Sequence, residues 1–148
     1  MALTAILSIS EGMADILSKS ERSYRMSLVR ATDTKPEQRV WTIVKRLHVR
    51  GVINDRSLPG TPDIVFRRKR KVIFVHGCFW HVHVGCSRTR TPKSNARYWK
   101  SKFLSNQSRD RRVARRLRND GWSVMTVWEC QTLDPDRLRR RIVNFLAR

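Results

Sequence analysis

Asp63-Ile64-Val65-Phe66-Arg67-Arg68-Lys69-Arg70-Lys71-Val72-Ile73-Phe74-Val75-His76 decides the fold of this 148-residue chain. Two apolar runs flank a block of consecutive basic residues, so Asp63 to Phe66 and Val72 to Val75 read as strands joined in a hairpin. Upstream, Asn54 to Pro62 has loop chemistry, with Leu58-Pro59-Gly60 as the turn signal. Before that loop, Thr34-Lys35-Pro36-Glu37 has the form of a capping box. Val40, Trp41, Val44 and Leu47 then follow at helical spacing until Gly51 stops the helix. Downstream, a basic loop leads to Tyr98-Trp99 and a further helical pattern, and Ser108 can cap a helix running through Asn119, with Val113, Ala114 and Leu117 inside and arginines outside. Gly121 ends that helix, and Trp122 to Trp128 reads as a strand whose tryptophans belong to the core. Asp134-Pro135 starts a last helix that buries Leu138, Ile142, Phe145 and Leu146. The order α-β-β-α-β-α predicts an α/β fold, a small mixed sheet flanked by helices. Residues 1–30 are expected to be an N-terminal DNA-contacting arm, partly helical, and residues 31–148 a single domain.

Charge narrows the partner. Thirty-two Lys+Arg against twelve Asp+Glu give a net charge of +20, and Arg supplies 24 of the basic residues. Arg binds phosphates and guanine edges bidentately, so a nucleic acid is the expected partner; an acidic membrane or protein surface is the alternative. An apolar fraction of 40% is enough for a packed interior and excludes a wholly disordered chain. No run approaches the roughly 18 apolar residues of a membrane span. Met1 to Ile9 lacks the basic start and the cleavage site of a signal peptide. A soluble, cytoplasmic protein is expected.

Three cysteines, Cys78, Cys86 and Cys130, cannot all pair within one chain, which points to metal binding or buried thiols. Cys78-x4-His83-x2-Cys86 gathers three ligands that zinc prefers. Cys130 can complete a closed Cys3His set of the structural kind if its strand end lies beside this loop. Phosphodiester hydrolysis with a magnesium ion needs a carboxylate to hold the metal and a base or water-positioning group. Asp63 at the start of one strand, His76 at the end of the next, and His81 in the following loop are the candidates, with Glu37 approaching from the helix.

Ser57-Leu58-Pro59-Gly60-Thr61-Pro62-Asp63, Val75-His76-Gly77-Cys78-Phe79-Trp80-His81, and Gly121-Trp122 through Val127-Trp128-Glu129-Cys130 resemble the signatures of the very short patch repair (Vsr) endonucleases. The resemblance runs from about Arg25 to the last helix, and the Gly-Cys-Phe-Trp-His block is its most specific part. It implies a restriction-endonuclease-like core and a nick on the 5′ side of the thymine in a T:G mismatch. Such mismatches arise where 5-methylcytosine deaminates, which implies a functional link to a cytosine-5 DNA methyltransferase. Mismatch-repair proteins are a further partner class, for which no residue speaks. By the same resemblance, Asp63 and the backbone carbonyl of Val75 hold catalytic Mg²⁺. His81 acts as general base, and His76 and Glu37 position water or phosphate. Cys78, His83, Cys86 and Cys130 hold structural Zn²⁺. The loop from Cys78 to Cys86 is a residue longer than in the best-known form, which leaves His81 as the alternative to His83 in that set. Phe79, Trp80 and Trp99 resemble the aromatics that wedge beside the mismatched pair, where weakened stacking lowers the cost of opening the step. Arg25, Arg109 and Arg112 are the expected DNA contacts. A monomer suffices for a nick, and a nucleoid-associated setting in a bacterium or phage follows.

Plainer readings exist for several of these residues. A capping box explains Glu37 without catalysis, a strand edge explains Asp63, and a solvated face explains the arginine helix. His48 has no defensible role. Two other functions compete: a Vsr-like nuclease that cuts undamaged DNA at a specific site, and a zinc-stabilised DNA-binding protein with no chemistry.

Overall fold

The computed structural model describes residues 17–28 and 32–148. The expected arm therefore lies partly outside the described residues. What is described of it is helix α1 (Lys19–Ser27), started by a capping box in which Ser18 and Glu21 satisfy each other's backbone N–H groups. Helix α2 (Lys35–Arg46) begins at Thr34 as its sequence demands, but it ends at Arg46 rather than at Gly51. Leu47 is the C-cap, and His48 takes a left-handed backbone (φ 54°) that breaks the helix earlier.

A four-stranded sheet follows in the order β1 (Val52–Ile53), β2 (Ile64–Phe66), β3 (Lys71–His76), β4 (Ser123–Trp128). The two-residue edge strand β1 was not legible as a strand. It pairs antiparallel with β2, and β2 with β3, so the predicted hairpin forms around a 3₁₀ turn at Arg67–Lys69. β3 and β4 pair parallel, and that geometry needs a crossover. The crossover is α3 (Ala96–Asn119), one helix of 24 residues. The expectation that Ser108 starts a separate helix fails because Trp99 and Phe103, one turn apart, already present a buried face that carries the helix on to Leu117. A 3₁₀ turn (Glu129–Leu133) leads to the last helix, α4 (Pro135–Ala147), capped by Asp134. Among the described residues no helix is long and apolar enough to cross a membrane.

Period-two alternation sends neighbouring strand residues to opposite layers. Ile64, Phe66, Ile73, Met125 and Val127 pack against Val40, Ile43 and Val44 of α2 and Leu138, Ile142 and Leu146 of α4. Val65 and Val72 pack the other way, with Leu117 of α3 and the partly buried Phe74, Val113, Trp122 and Val124. Each fully buried aliphatic or aromatic side chain contributes roughly 1.5–3 kcal/mol, so these two layers hold the sheet. Trp128 departs from its expected core role: it is half-buried and packs in none of these apolar clusters among the described residues. A third cluster, Phe79, Trp99 and Phe103, sits beyond the sheet and is covered by Leu17 and Met26 from the α1 segment.

Two details fix the loop that carries Asp63. Asp55 is buried and accepts hydrogen bonds from the Ser57 backbone N–H (3.0 Å), the Ser57 hydroxyl (2.6 Å) and the Arg67 guanidinium. The Ser57 hydroxyl above all holds its carboxyl below the ordinary range, against the effect of burial. Gly60 has φ +75°, and a Cβ there would lie 2.4 Å from a Val113 methyl. Only glycine lets this turn lie against α3.

Candidate active site and metal centre

The C-terminal end of β3, the start of β2 and one face of α3 enclose a cleft of about 970 Å³. Glu37, Asp63, Val75, His76 and His81 all line it, so the structure brings the sequence-predicted catalytic residues together. Asp63 precedes β2, and its Oδ2 accepts the Val75 backbone N–H at 2.6 Å. Burial, reinforced by the neighbouring Glu37 charge, pushes Asp63 up to about 7, while the Val75 N–H and His81 pull the other way. A carboxylate so placed favours a nearby cation. Glu37 serves two purposes at once. Its Oε1 accepts from the Thr34 hydroxyl and its Oε2 from the Asp33 N–H, each at 2.7 Å, yet it also faces the cleft beside Asp63.

His76 ends β3 and stacks on His81, with ring centroids 4.0 Å apart and planes within 9°. Burial, then the His81 and Arg109 charges, lowers His76 to about 4, opposed by Asp110, so it is neutral near pH 7. His81 Nδ1 lies 2.5 Å from Asp110 Oδ2. Although burial works against it, that hydrogen bond and the charges of His81, His76 and Arg109 hold Asp110 below the usual carboxylate range. An ionised carboxylate on Nδ1 fixes the tautomer and leaves Nε2 for proton exchange in the cleft. Sequence reasoning missed Asp110. The available signal was one acid inside Arg109-Asp110-Arg111-Arg112, on the helix face that Gln107, Ala114 and Arg118 share.

Cys78, His83, Cys86 and Cys130 present ligand atoms that all lie within 4.8 Å of one another, so this cluster could hold a metal ion. His83 Nδ1 is 3.6 Å from Cys78 Sγ and 3.4 Å from Cys130 Sγ. Of the two candidate histidines, His83 lies with the cysteines and His81 with Asp110. Val82 between them has φ 53°, a left-handed turn that aims its neighbours at different sites. Burial pushes the Cys78 thiol up to about 12 and raises Cys130 as well, and a bound cation reverses that by favouring thiolates. The Cys78 N–H donates to Glu129 Oε2 (3.3 Å), and the Thr89 hydroxyl reaches the carbonyls of His83 (2.8 Å) and Cys78 (3.0 Å).

The aromatic residues separate. Trp99 is fully buried, Phe79 is nearly so, and Trp80 is half-buried. Phe79 makes edge-on contacts with Trp80, Trp99 and Phe103 at 5.0, 5.4 and 5.2 Å. Arg109 lines the cleft together with Arg111, Arg115 and Arg118 of α3; Arg112 is exposed on the same helix but outside the lining, and Arg25 sits half-buried on α1.

Residues 14–88 match the family model described as DNA mismatch endonuclease Vsr. The chain is 43% identical over 134 residues to the type II nicking enzyme V.XorIIP of Xanthomonas oryzae pv. oryzae, spanning 90% of this chain and 98% of that protein. It is 39% identical over 126 residues to the DNA mismatch endonuclease Vsr of Escherichia coli, spanning 85% of this chain and 80% of that protein. The type II nicking enzyme V.NmeAIP of Neisseria meningitidis is 37% identical over 136 residues, spanning 92% and 96%.

Proposed function

This chain belongs to the Vsr family of DNA mismatch endonucleases, and we propose that it nicks double-stranded DNA on the 5′ side of the thymine in T:G mismatches left by deaminated 5-methylcytosine. The carrying observation is the meeting of Asp63, Glu37, His76 and the His81–Asp110 pair in one arginine-lined cleft. In this reading the sheet and its flanking helices are a restriction-endonuclease-like core. The chain acts as a monomer in a bacterial or phage cytoplasm, downstream of a cytosine-5 DNA methyltransferase.

The donor set suits magnesium: hard oxygens from the half-buried Asp63 and the Val75 carbonyl, with Glu37 alongside. These residues would hold Mg²⁺, which would supply positive charge against the negative charge that develops on the phosphate oxygens. His81 takes a proton through Nε2 from the attacking water, whose oxygen bonds to phosphorus as the bond to the leaving sugar oxygen breaks. That oxygen takes its proton from solvent. Asp110 stabilises the imidazolium formed on His81, and neutral His76 orients the phosphate. Arg109, Arg111, Arg115 and Arg118 hold flanking phosphates, with Arg25 and Arg112 on the outer strand path. Trp80, the most accessible of the three aromatics, leads the wedge; Phe79 and Trp99 back it. The cysteine–histidine cluster suits zinc, because bonds near 2.3 Å to sulfur and 2.0 Å to nitrogen put sulfur and nitrogen ligands of a tetrahedron about 3.5 Å apart. The observed 3.6 and 3.4 Å agree with that spacing.

The test is a nicking assay with zinc-loaded protein and Mg²⁺ on labelled duplexes carrying T:G or matched T:A, with Asp63→Ala beside it. A single cut 5′ to the mismatched thymine, lost in Asp63→Ala while duplex binding persists, supports the proposal. The names of two relatives as type II nicking enzymes favour a second reading, a site-specific nick in matched DNA. Cutting of the T:A duplex selects that reading. Binding without a cut under any condition overturns both in favour of a zinc-stabilised DNA-binding protein.

A further inference from the structure

We propose that Trp128 is a positioning residue that couples the metal cluster to the catalytic histidines, an inference that rests on the nuclease reading of the cleft. Trp128 ends β4 and is the cross-strand partner of His76, which ends β3. Its indole lies face to face with the His83 ring, with centroids 4.3 Å apart and planes within 8°. It also meets His76 edge-on at 5.6 Å and 72°. His76 stacks on His81, and His81 is held by Asp110. A continuous run of ring contacts therefore leads from a ligand of the metal cluster to the His81–Asp110 pair.

The cluster holds Trp128 from two directions. Cys130 follows two residues later and anchors the backbone, while His83 covers one face of the indole. The Trp128 backbone N–H donates to Gln131 Oε1 at 3.1 Å, and the Arg141 guanidinium donates to the same oxygen, so the exit from β4 is pinned. Trp128 contributes to none of the apolar clusters among the described residues, and its ring faces the histidines and the cleft instead. Aromatic pairs in these geometries set relative ring orientation rather than merely filling space. A bound cation that fixes His83 thus fixes Trp128, and through it the tilt of His76 and the stack on His81.

Two arms test this. Trp128→Leu, purified with its metal, should keep the metal content and the KM for duplex, while kcat for nicking falls on the order of 10²-fold through a misplacement near 1 Å. Trp128→Phe, which keeps an aromatic face, should recover most of that loss. In the second arm, histidine rings labelled at Cε1 are followed by NMR while Cd²⁺ replaces Zn²⁺ in the cluster. Wild type should show shifts at His83 and also at His76 and His81, whereas in Trp128→Leu the change should stop at His83. Wild-type kcat in metal-replete Trp128→Leu overturns the proposal. So do His76 and His81 signals that ignore the exchange in the wild-type protein, a result that stands even if Trp128→Leu fails to fold. The NMR arm needs no cleavage, so a wild-type protein that never nicks would overturn the nuclease reading and leave this comparison intact.

Discussion

Asp110 carries the first prediction at the scale of single residues. Its carboxylate sits 2.5 Å from His81 Nδ1 and is held ionised by that contact and by the surrounding positive charge. Asp110→Asn keeps the shape but removes the charge that fixes the tautomer. Nicking rates should fall about 10²–10⁴-fold with duplex affinity retained. Single-turnover kinetics beside a binding titration check this, and an unchanged rate would remove Asp110 from the mechanism. Asp55 carries the second. Its carboxyl is lowered in the folded state, chiefly by the Ser57 hydroxyl. The unfolded chain therefore takes up a proton first as pH falls. The stability this group contributes is complete above the ordinary carboxylate range and is lost as pH drops through the folded value. Urea midpoints should decline more steeply below about pH 4 in wild type than in Asp55→Asn; parallel slopes would count against it. At this scale much was readable from sequence. Asp63, His76 and His81 stand at strand ends or in a loop flanked by apolar runs. Asp110 was not readable, because an acid in an arginine-rich helix looks like ordinary surface charge until His81 is seen against it.

At the scale of elements, the turn Leu58-Pro59-Gly60 determines how the Asp63 loop meets α3. With φ +75° and a Val113 methyl 2.4 Å from any added Cβ, Gly60→Ala forces either the turn or the helix to move. A loss of roughly 1–3 kcal/mol is expected, measured by urea unfolding. The same variant should nick more slowly because Asp63 shifts with the turn, and a neutral outcome in both assays would contradict the packing argument. The starts of α2 and α4 were legible, since Thr34 and Asp134 cap them through their own side chains. Helix ends and joins were less so. His48 ends α2 ahead of Gly51 by adopting a left-handed backbone, and Ser108 lies inside α3 because Trp99 and Phe103 have a cluster to pack into. Those outcomes depend on partners distant in sequence, and the local pattern carries no record of them.

For the whole molecule, net charge decides the character of binding. A chain of +20 with Arg109, Arg111, Arg115 and Arg118 along one cleft should release counterions on binding duplex. The logarithm of the association constant should fall linearly with the logarithm of salt concentration. Arg115→Gln with Arg118→Gln should reduce the slope by about 0.9 for each phosphate left without its arginine. Affinity independent of salt would rule out this cleft as the path of the backbone. The sequence by itself determined the α/β layering, the hairpin at 63–76 and the family, because period-two alternation and contiguous motifs are local properties of the chain. Only the tertiary structure assigned His83 to the cysteine cluster and His81 to Asp110. It also placed Trp99 inside the protein and laid Trp128 between the two sites. Those assignments depend on a left-handed turn at Val82, a parallel crossover through α3 and the register of β3 on β4. Each is settled by packing between segments that lie tens of residues apart, so none can be read from any one stretch of sequence.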